Sequence, residues 1–292
     1  MIDLLLQFLR ESGQSAGEAL YAMLPAAAFF LALGYLVKRQ DLFTDMRRAA
    51  AETGLNVQIA AFNILFIGPV IILCSQGLFW LFREQGWSLI DREIWTGLPK
   101  LPVILFAIFI GDFAGYWRHR LEHTRLLWPS HAVHHSDTEM TWLTLERFHP
   151  INRLTTFVID TSALLLLGLP AEAIVANNLV RHYYGYLIHA DLPWTFGPLG
   201  KIFVSPAMHR WHHAADVAAF DTNYATVFSI FDQAFKTFRV PGICTVKLGV
   251  TDKMAPTLVG QMGYAFNLRA YRRRGAKPKP AGEVPGETRS DC

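Results

Sequence analysis

The chain has 292 residues, of which 52% are hydrophobic and 17% are charged, so it is too apolar for an ordinary soluble protein. Its net charge of +3 is small, and no basic face or nucleic-acid-binding motif accompanies it, so we expect no nucleic-acid partner. The three cysteines are widely separated, which argues against a disulfide framework and against thiolate metal sites.

Three stretches are long and apolar enough to cross a bilayer as helices, which takes about 20 residues each. They are Leu20 to Val37, Val57 to Leu81 and Leu101 to Tyr116. The third contains Asp112, and a carboxylate inside a span is costly unless it has a functional partner. A fourth apolar region, Leu154 to Leu187, is broken at Gly168 to Pro170 and is predicted to form a tight helical hairpin.

The loops between these regions predict an orientation. The segments densest in Lys and Arg follow the first span, follow the third span and lie near the C-terminus, which places all of them on one side. Because short cytoplasmic loops carry the excess of Lys and Arg, we expect that side to be cytoplasmic. Trp80, Trp87 and Trp95 in the opposite loop fit anchoring at the far interface.

The pattern divides the chain into three regions. Residues 1–98 form an N-terminal transmembrane region, residues 99–245 a membrane domain rich in histidine, and residues 246–292 a C-terminal segment. From residue 272 onward this segment is rich in Pro, Gly and charge, which predicts a disordered basic tail.

Nine of the eleven histidines lie in clusters with the spacing of metal ligands or close to them. The sequence contains one HxxxH motif and two HxxHH motifs, and a single further histidine lies between the two HxxHH motifs. Residues three and four apart project from one face of a helix, so each motif can direct its imidazoles to one point. The nine candidate metal ligands are His119, His123, His131, His134, His135, His189, His209, His212 and His213.

The number of histidines predicts two metal ions. One first-row metal accepts about six ligands at most, and adjacent histidines such as His134 and His135 diverge by about 100° around a helix axis. Imidazole suits Fe, Zn, Cu and Ni, so residue type alone leaves the metal open. A site beside a lipid-facing helix bundle favours iron and O₂ chemistry, although such a site could hold Zn in a structure.

Four further residues follow the same helical spacing as the histidines. Asp112 and Tyr116 share one face with His119 and are candidates to orient it, since metal-bound histidines need a hydrogen-bond partner on the other ring nitrogen. Asn178 and His182 share a face with His189 and are candidates to join it. For His182 a packing role and a metal role both stay open. For His149, which precedes Pro150 and has no cluster partner, we expect a structural hydrogen bond.

Taken together, the motifs resemble those of the superfamily of fatty acid hydroxylases and sterol desaturases. The resemblance rests on GDFAGYWRHRLEH, LLWPSHAVHHSDTEMTWLTLERFHP and SPAMHRWHHAADVAAFDTNYATVFSIFDQAF, which cover most of residues 111–235. It implies an all-α integral membrane protein with about four transmembrane helices, one pair of them a tight hairpin, and a cytosolic helical cap that holds two iron ions. It also implies that Asn223, Tyr224 and Asp232 support this site.

The resemblance further implies O₂ as co-substrate and an external electron donor, delivered by a separate reductase protein. The expected activity is oxidation of a C–H bond of a sterol, fatty acyl or related lipid, by hydroxylation or desaturation, with hydroxylation favoured. We expect a multi-pass protein, in a bacterial inner membrane rather than the endoplasmic reticulum, with the histidines and the C-terminus in the cytoplasm.

Two other functions fit a membrane protein rich in histidine. A divalent-metal transporter would place its site near the bilayer midplane, whereas these clusters lie beyond the ends of the predicted spans. A zinc-dependent membrane hydrolase typically needs three protein ligands and a bound hydroxide, and this chain offers nine histidines and no HExxH motif.

Overall fold

A computed structural model describes the backbone of residues 2–271 and the side chains of residues 17, 18 and 21–271. Within these residues the protein is all-helical, apart from the isolated bridges Phe203–Phe228 and Ala214–Leu248. The predicted all-α class is therefore confirmed. The predicted disordered tail from residue 272 onward lies outside the described residues.

Twelve α-helices follow one another along the described chain. They are α1 (Ile2–Lys38), α2 (Asp41–Arg48), α3 (Ala50–Phe62), α4 (Gly68–Phe79), α5 (Glu93–Thr96), α6 (Lys100–Glu122), α7 (Trp128–His135), α8 (Pro150–Leu166), α9 (Ala171–His189), α10 (Pro206–His212), α11 (Ile230–Ala234) and α12 (Leu258–Tyr264). Short 3₁₀ segments occupy Trp142–Glu146, Gly197–Lys201 and Val217–Ala219.

Among the described residues, three helical segments are long and apolar enough to cross a membrane: Tyr21–Lys38, Ala50–Glu84 and Lys100–Glu122. They overlap the three predicted spans. The second is longer than predicted because α3 and α4 join through a wider π turn at Asn63–Ile67. Pro69 follows this turn in the first turn of α4, where it has no N–H to donate, so the wider turn accommodates it without ending the helix.

The fourth apolar region folds as the predicted hairpin. Helix α8 ends at Leu166 and α9 begins at Ala171. Gly168 adopts a φ of +66° in the connection, a conformation that glycine accepts without strain. His149 caps the start of α8 by accepting a hydrogen bond from the Ile151 N–H, which confirms its structural role.

The loop between the second and third segments closes over the tip of this hairpin. Ser88 Oγ donates to the Leu165 carbonyl, and Trp95 Nε1 donates to the Leu167 carbonyl at 2.9 Å. Trp95 therefore provides a hydrogen-bond donor to a carbonyl group at the C-terminal end of α8. This cover completes the hydrogen bonds that a helix end leaves open.

Helix α6 packs against both arms of the hairpin. Two glycines allow the close approach to α9: a Cβ at Gly111 would lie 2.2 Å from Asn177 Oδ1, and one at Gly115 would lie 2.0 Å from Arg181 Nη2. The ends of α6 and α9 therefore lie close together, under α7 and α10. The histidines lie in the region where these four helices meet.

Candidate metal centre

The nine candidate histidines come from the ends of four helices. His119 and His123 lie at the end of α6, and His189 is the last residue of α9. Helix α7 carries the first HxxHH motif, and α10 with its C-cap residue carries the second. The structure brings all nine side chains into one buried region.

These histidines divide into two groups. In each group, one ring nitrogen from every member lies within 4.8 Å of the corresponding nitrogens of the others. The first group contains His119, His123, His131, His135 and His212, and the second contains His134, His189, His209 and His213. Each adjacent pair is split between the groups, because neighbouring residues on a helix diverge by about 100° around its axis.

Within each group the Nε2 atoms approach one another closely. His119 Nε2 lies 3.0 Å from His131 Nε2 and 3.0 Å from His212 Nε2. In the second group, His189 Nε2 lies 3.1 Å from His134 Nε2 and 2.9 Å from His209 Nε2. Nitrogens bound at about 2.1 Å to one cation, at right angles to each other, lie about 3 Å apart, so both sets fit a shared ion.

Three of the rings are oriented by backbone carbonyls. The Nδ1 atoms of His119, His189 and His212 lie 2.7, 2.7 and 2.6 Å from the carbonyl oxygens of Tyr224, Gly185 and Thr222. A carbonyl only accepts, so each Nδ1 carries the hydrogen and each Nε2 presents its lone pair. This is the tautomer that a metal ligand needs.

A side-chain amide holds a fourth ring. His131 Nδ1 lies 3.1 Å from Asn152 Oδ1, and Asn152 Nδ2 donates to Glu122 Oε1 at 2.6 Å. Because the carboxylate fixes which end of the amide faces the histidine, Nδ1 of His131 donates and its Nε2 faces the group. All three residues are buried.

Burial keeps the histidines of α7 and α10 neutral. Desolvation lowers the pKa of His134 and His135 on α7, and that of His209 and His213 at α10, well below the ordinary value of 6.5. Both ring nitrogens of His213 are buried without a hydrogen bond among the described residues. Neutral rings with such nitrogens fit metal binding, because a cation supplies the partner that a buried nitrogen otherwise lacks.

The three residues carried over from the resemblance build the loop beside the first group. Asp232 accepts hydrogen bonds from the Tyr224 and Ala225 N–H groups at 2.8 and 2.9 Å, which places the Tyr224 carbonyl for His119. Asn223 adopts a φ of +60° and joins the two sides of the loop through the carbonyls of Met208 and Arg239. These three residues therefore help to position the histidines through backbone atoms of the loop.

The expectation that Asp112 orients a histidine needs correction. Its carboxylate accepts hydrogen bonds from the N–H groups of Thr226, Val227 and Phe228, at 3.2, 3.0 and 2.7 Å. The Tyr116 hydroxyl, four residues later, bonds Thr237 Oγ1 at 2.9 Å. Both residues therefore anchor the cap to α6, since the face they share with His119 packs under the loop and not against the ring.

Asn178 and His182 lie outside both histidine groups. Asn178 is exposed and accepts a hydrogen bond from Asn177 Nδ2. His182 Nε2 lies 3.7 Å from Glu146 Oε1, and its side chain is 38% exposed. The face that they share with His189 points past the ligand groups, because α9 ends at His189 and only its last turn reaches the centre.

Sequence reasoning missed Asn152 and Glu122. Glu122 directly precedes His123 in the first motif, so its proximity to the site was visible in the sequence. Asn152 is 21 residues after His131, and no helical spacing rule connects two residues so far apart. Only the packing of α8 against α7 shows that contact.

A cavity of about 320 Å³ borders both histidine groups. Its lining includes His119 and His131 from the first group and His134, His189 and His209 from the second. The rest of the wall is mixed. Ile71, Phe148, Phe157 and Ile188 are apolar, whereas Arg118, Arg153, Asp160 and Arg181 are charged. An alkyl chain can therefore approach the histidines from the helix bundle.

Comparison with known proteins places these residues in a family. The family model for fatty acid hydroxylase matches residues 104–237, a range that contains all nine histidines. This match covers a little less than half of the chain. The superfamily recognised from the histidine motifs is thereby confirmed.

The chain is also similar to several proteins that are named as lipid-oxidising enzymes. The chain is 34% identical over 184 residues to the ornithine lipid hydroxylase OlsE of Rhizobium tropici, which covers 62% of this chain and 56% of that protein. It is 31% identical over 140 residues to human alkylglycerol monooxygenase, covering 47% of this chain and 31% of that protein. It is 29% identical over 180 residues to a Delta(7)-sterol 5(6)-desaturase of Gibberella zeae, covering 59% and 48%.

The chain thus spans about half of the first of these relatives and less of the other two. No solved structure matches it significantly.

Proposed function

We propose that this protein is a membrane-bound oxidase that acts on a C–H bond of a lipid, using O₂ and two histidine-bound iron ions. The observation that carries the proposal is the pair of histidine groups beside a cavity whose wall is partly apolar. Relatives named as lipid hydroxylases, monooxygenases and desaturases support the same chemistry.

The first group would hold one ion through His119, His123, His131, His135 and His212. The second would hold the other ion through His134, His189, His209 and His213. A histidine-bound iron pair supplies activation of O₂ to a species able to remove hydrogen from an unactivated carbon.

The chain's own residues orient and protect this chemistry. The Thr222, Tyr224 and Gly185 carbonyls hold three imidazoles with their Nε2 lone pairs directed inward. Burial of the histidines excludes water, which would otherwise intercept a reactive oxidant. The cavity presents a lipid carbon to the groups from one side.

The proposal also covers the membrane location of the site and its electron donor. We place the histidines and the C-terminus on the cytoplasmic face of a bacterial inner membrane, because the basic segments lie on that side of the spans. The hairpin of α8 and α9 would complete the membrane-embedded base. Electrons would come from a separate reductase protein that docks on this face.

Labelled oxygen tests the activity directly. Lipids from cells that express the protein, and from cells that express His134→Ala, would be compared by mass spectrometry under ¹⁶O₂ and ¹⁸O₂. Hydroxylation adds 16 mass units from ¹⁶O₂ and 18 from ¹⁸O₂, and desaturation removes 2 mass units with either isotope. Both products should depend on His134.

A hydrolase would take oxygen from water, so a product whose mass is the same under both gases and not 2 units lower would contradict the proposal. Purified protein should also contain iron in a ratio near two per chain. Transport of metal into proteoliposomes, with no new lipid product, would favour the transporter instead.

A further inference from the structure

The cavity beside the histidines has charged side chains in its wall. Arg181 lines this cavity from α9, and its side chain is only 10% exposed. Its guanidinium lies against Gly115, which is one helical turn, or about 6 Å, before His119 on α6. A cationic donor is therefore buried close to the first group of candidate ligands.

The guanidinium is held in place from two sides. Its Nη1 donates to Asp160 Oδ2 at 2.7 Å, and Asp160 also accepts a hydrogen bond from Arg118 Nε at 2.8 Å. On the other side Arg181 lies across Gly115, whose missing side chain leaves the space that Nη2 occupies. Asp160 is thus shared between Arg118 and Arg181, and its ion pair with Arg181 fixes the position of the Arg181 guanidinium.

One donor of Arg181 forms an ion pair with Asp112 but no hydrogen bond in the described part of the chain. Its Nε is buried and makes no hydrogen bond within the described residues. The nearest carboxylate oxygen, Asp112 Oδ1, is 3.5 Å from Nε and is already engaged by the Thr226 N–H. A buried guanidinium N–H without an acceptor is costly, and a bound ligand that supplies an oxygen would remove that cost.

The other side chains of the cavity fit the remainder of such a ligand. Phe157 and Ile188 offer apolar contacts for an alkyl chain. Arg153 is also part of the lining, but its guanidinium is 3.8 Å from Glu146 and one third of its side chain is exposed. Arg118 also lines the cavity, but its Nε and Nη1 donate to the carboxylates of Asp160 and Glu122. Arg181 is the better buried of the two remaining arginines.

We infer that Arg181 binds an oxygen acceptor of the lipid substrate, a carbonyl or a phosphate oxygen, and thereby selects which carbon reaches the metal centre. This inference rests on the proposed function and specifies its substrate.

Binding measurements test this role without depending on turnover. The metal-loaded full chain in detergent would be titrated with tritiated methyl hexadecanoate, hexadecyl phosphate and hexadecane. These probes share an alkyl chain and differ in the oxygen acceptor that they carry. We expect the ester or the phosphate to bind at least about tenfold more tightly than hexadecane, because one charged hydrogen bond contributes that much affinity.

Two variants of Arg181 remove the donor to different extents. Arg181→Met should lose the tighter binding of the oxygen-bearing probes by about tenfold and leave hexadecane binding unchanged. Arg181→Lys keeps a positive charge for Asp160 but no Nε, so it should fold normally and show the same direction of change. Arg120→Lys, on α6 outside the cavity, is the matched control and should bind as the parent does.

The result identifies the source of the acceptor. A loss confined to the ester shows a carbonyl, and a loss confined to the phosphate shows a phosphate; either supports the role of Arg181. Equal binding of all three probes to the parent, or a loss caused by Arg153→Lys and not by Arg181→Lys, would overturn it. His134→Ala should retain ester binding, so a failed oxidation and a failed recognition site give different results.

Discussion

His135 stacks on His213 with the two ring centroids 4.3 Å apart and the ring planes 20° from parallel. The two residues come from different HxxHH motifs, on α7 and after α10, and they belong to different histidine groups. Their stacking is therefore a contact between the two candidate metal sites. The sites share one wall of imidazoles, which is the arrangement that a pair of neighbouring ions needs.

The division into two groups predicts how metal is lost. His135→Ala should remove a ligand of the first group and His213→Ala one of the second, so each should lower the metal content from about two ions per chain to about one or less. Elemental analysis of purified protein measures this ratio. His182→Ala, which lies outside both groups, should keep the parent ratio.

The prediction would be wrong if either ligand variant kept two ions per chain. It would also be wrong if the parent protein bound a single ion after full loading. The paired design matters because a variant of one group alone cannot distinguish one site from two.

Asn152 should determine how tightly the first group binds metal. Asn152→Leu removes the acceptor for His131 Nδ1 at similar volume, so the ring loses its fixed tautomer and orientation. Changes of this kind typically cost about 10- to 100-fold in metal affinity. Competition with a chelator of known affinity measures the loss.

Thr155→Val is the control, because Thr155 lies on the same helix and donates only to the Asn152 carbonyl. It should change metal affinity little. Equal affinities for Asn152→Leu and the parent would show that Asn152 does not position His131.

Asp112 should matter for stability and not for metal stoichiometry. Its buried carboxylate accepts three backbone hydrogen bonds and lies beside Arg181, so Asp112→Ala leaves several buried polar groups without partners. Breaking a buried charged contact costs about 3–5 kcal/mol. We expect a clear fall in melting temperature with two ions per chain retained at low temperature.

Asp216→Ala is a suitable comparison, since Asp216 accepts one backbone hydrogen bond, from Ala218, near the surface. Its effect on melting should be small. Loss of one ion from Asp112→Ala in the folded protein would restore the idea that Asp112 orients a ligand.

The turn of the hairpin provides a test of the fold. Gly168→Ala places a Cβ 2.1 Å from the Ile90 carbonyl oxygen and forces a side chain onto a residue with a φ of +66°. The conformation alone costs about 1–2 kcal/mol, and the clash adds to it. A lower melting temperature should follow.

Gly97→Ala, in the loop that covers the hairpin, makes a matched control. Gly97 has a φ of −82°, and a Cβ there would meet no atom within 4 Å. A melting temperature for Gly168→Ala as high as that for Gly97→Ala would contradict the observed turn.

Local pattern was enough to predict the helical class, the three long apolar segments, the hairpin and the nine histidines. Hydrophobic length and i, i+3, i+4 spacing are properties of a single helix, so they can be read without knowing what the helix packs against. His134 and His135 show this clearly, because the angle between adjacent residues on a helix already separates the two rings.

The tertiary structure decided which partners hold those histidines. His119 and the Tyr224 carbonyl that orients it are 105 residues apart, and a backbone carbonyl has no residue type by which a sequence could reveal it. Asp112 shows the same limit, since its helical face was predicted correctly but the loop that covers this face was not. Residue types and local helix geometry determine which histidines can bind metal. Contacts between distant segments determine how those histidines are oriented, because tertiary packing and not periodicity brings the segments together.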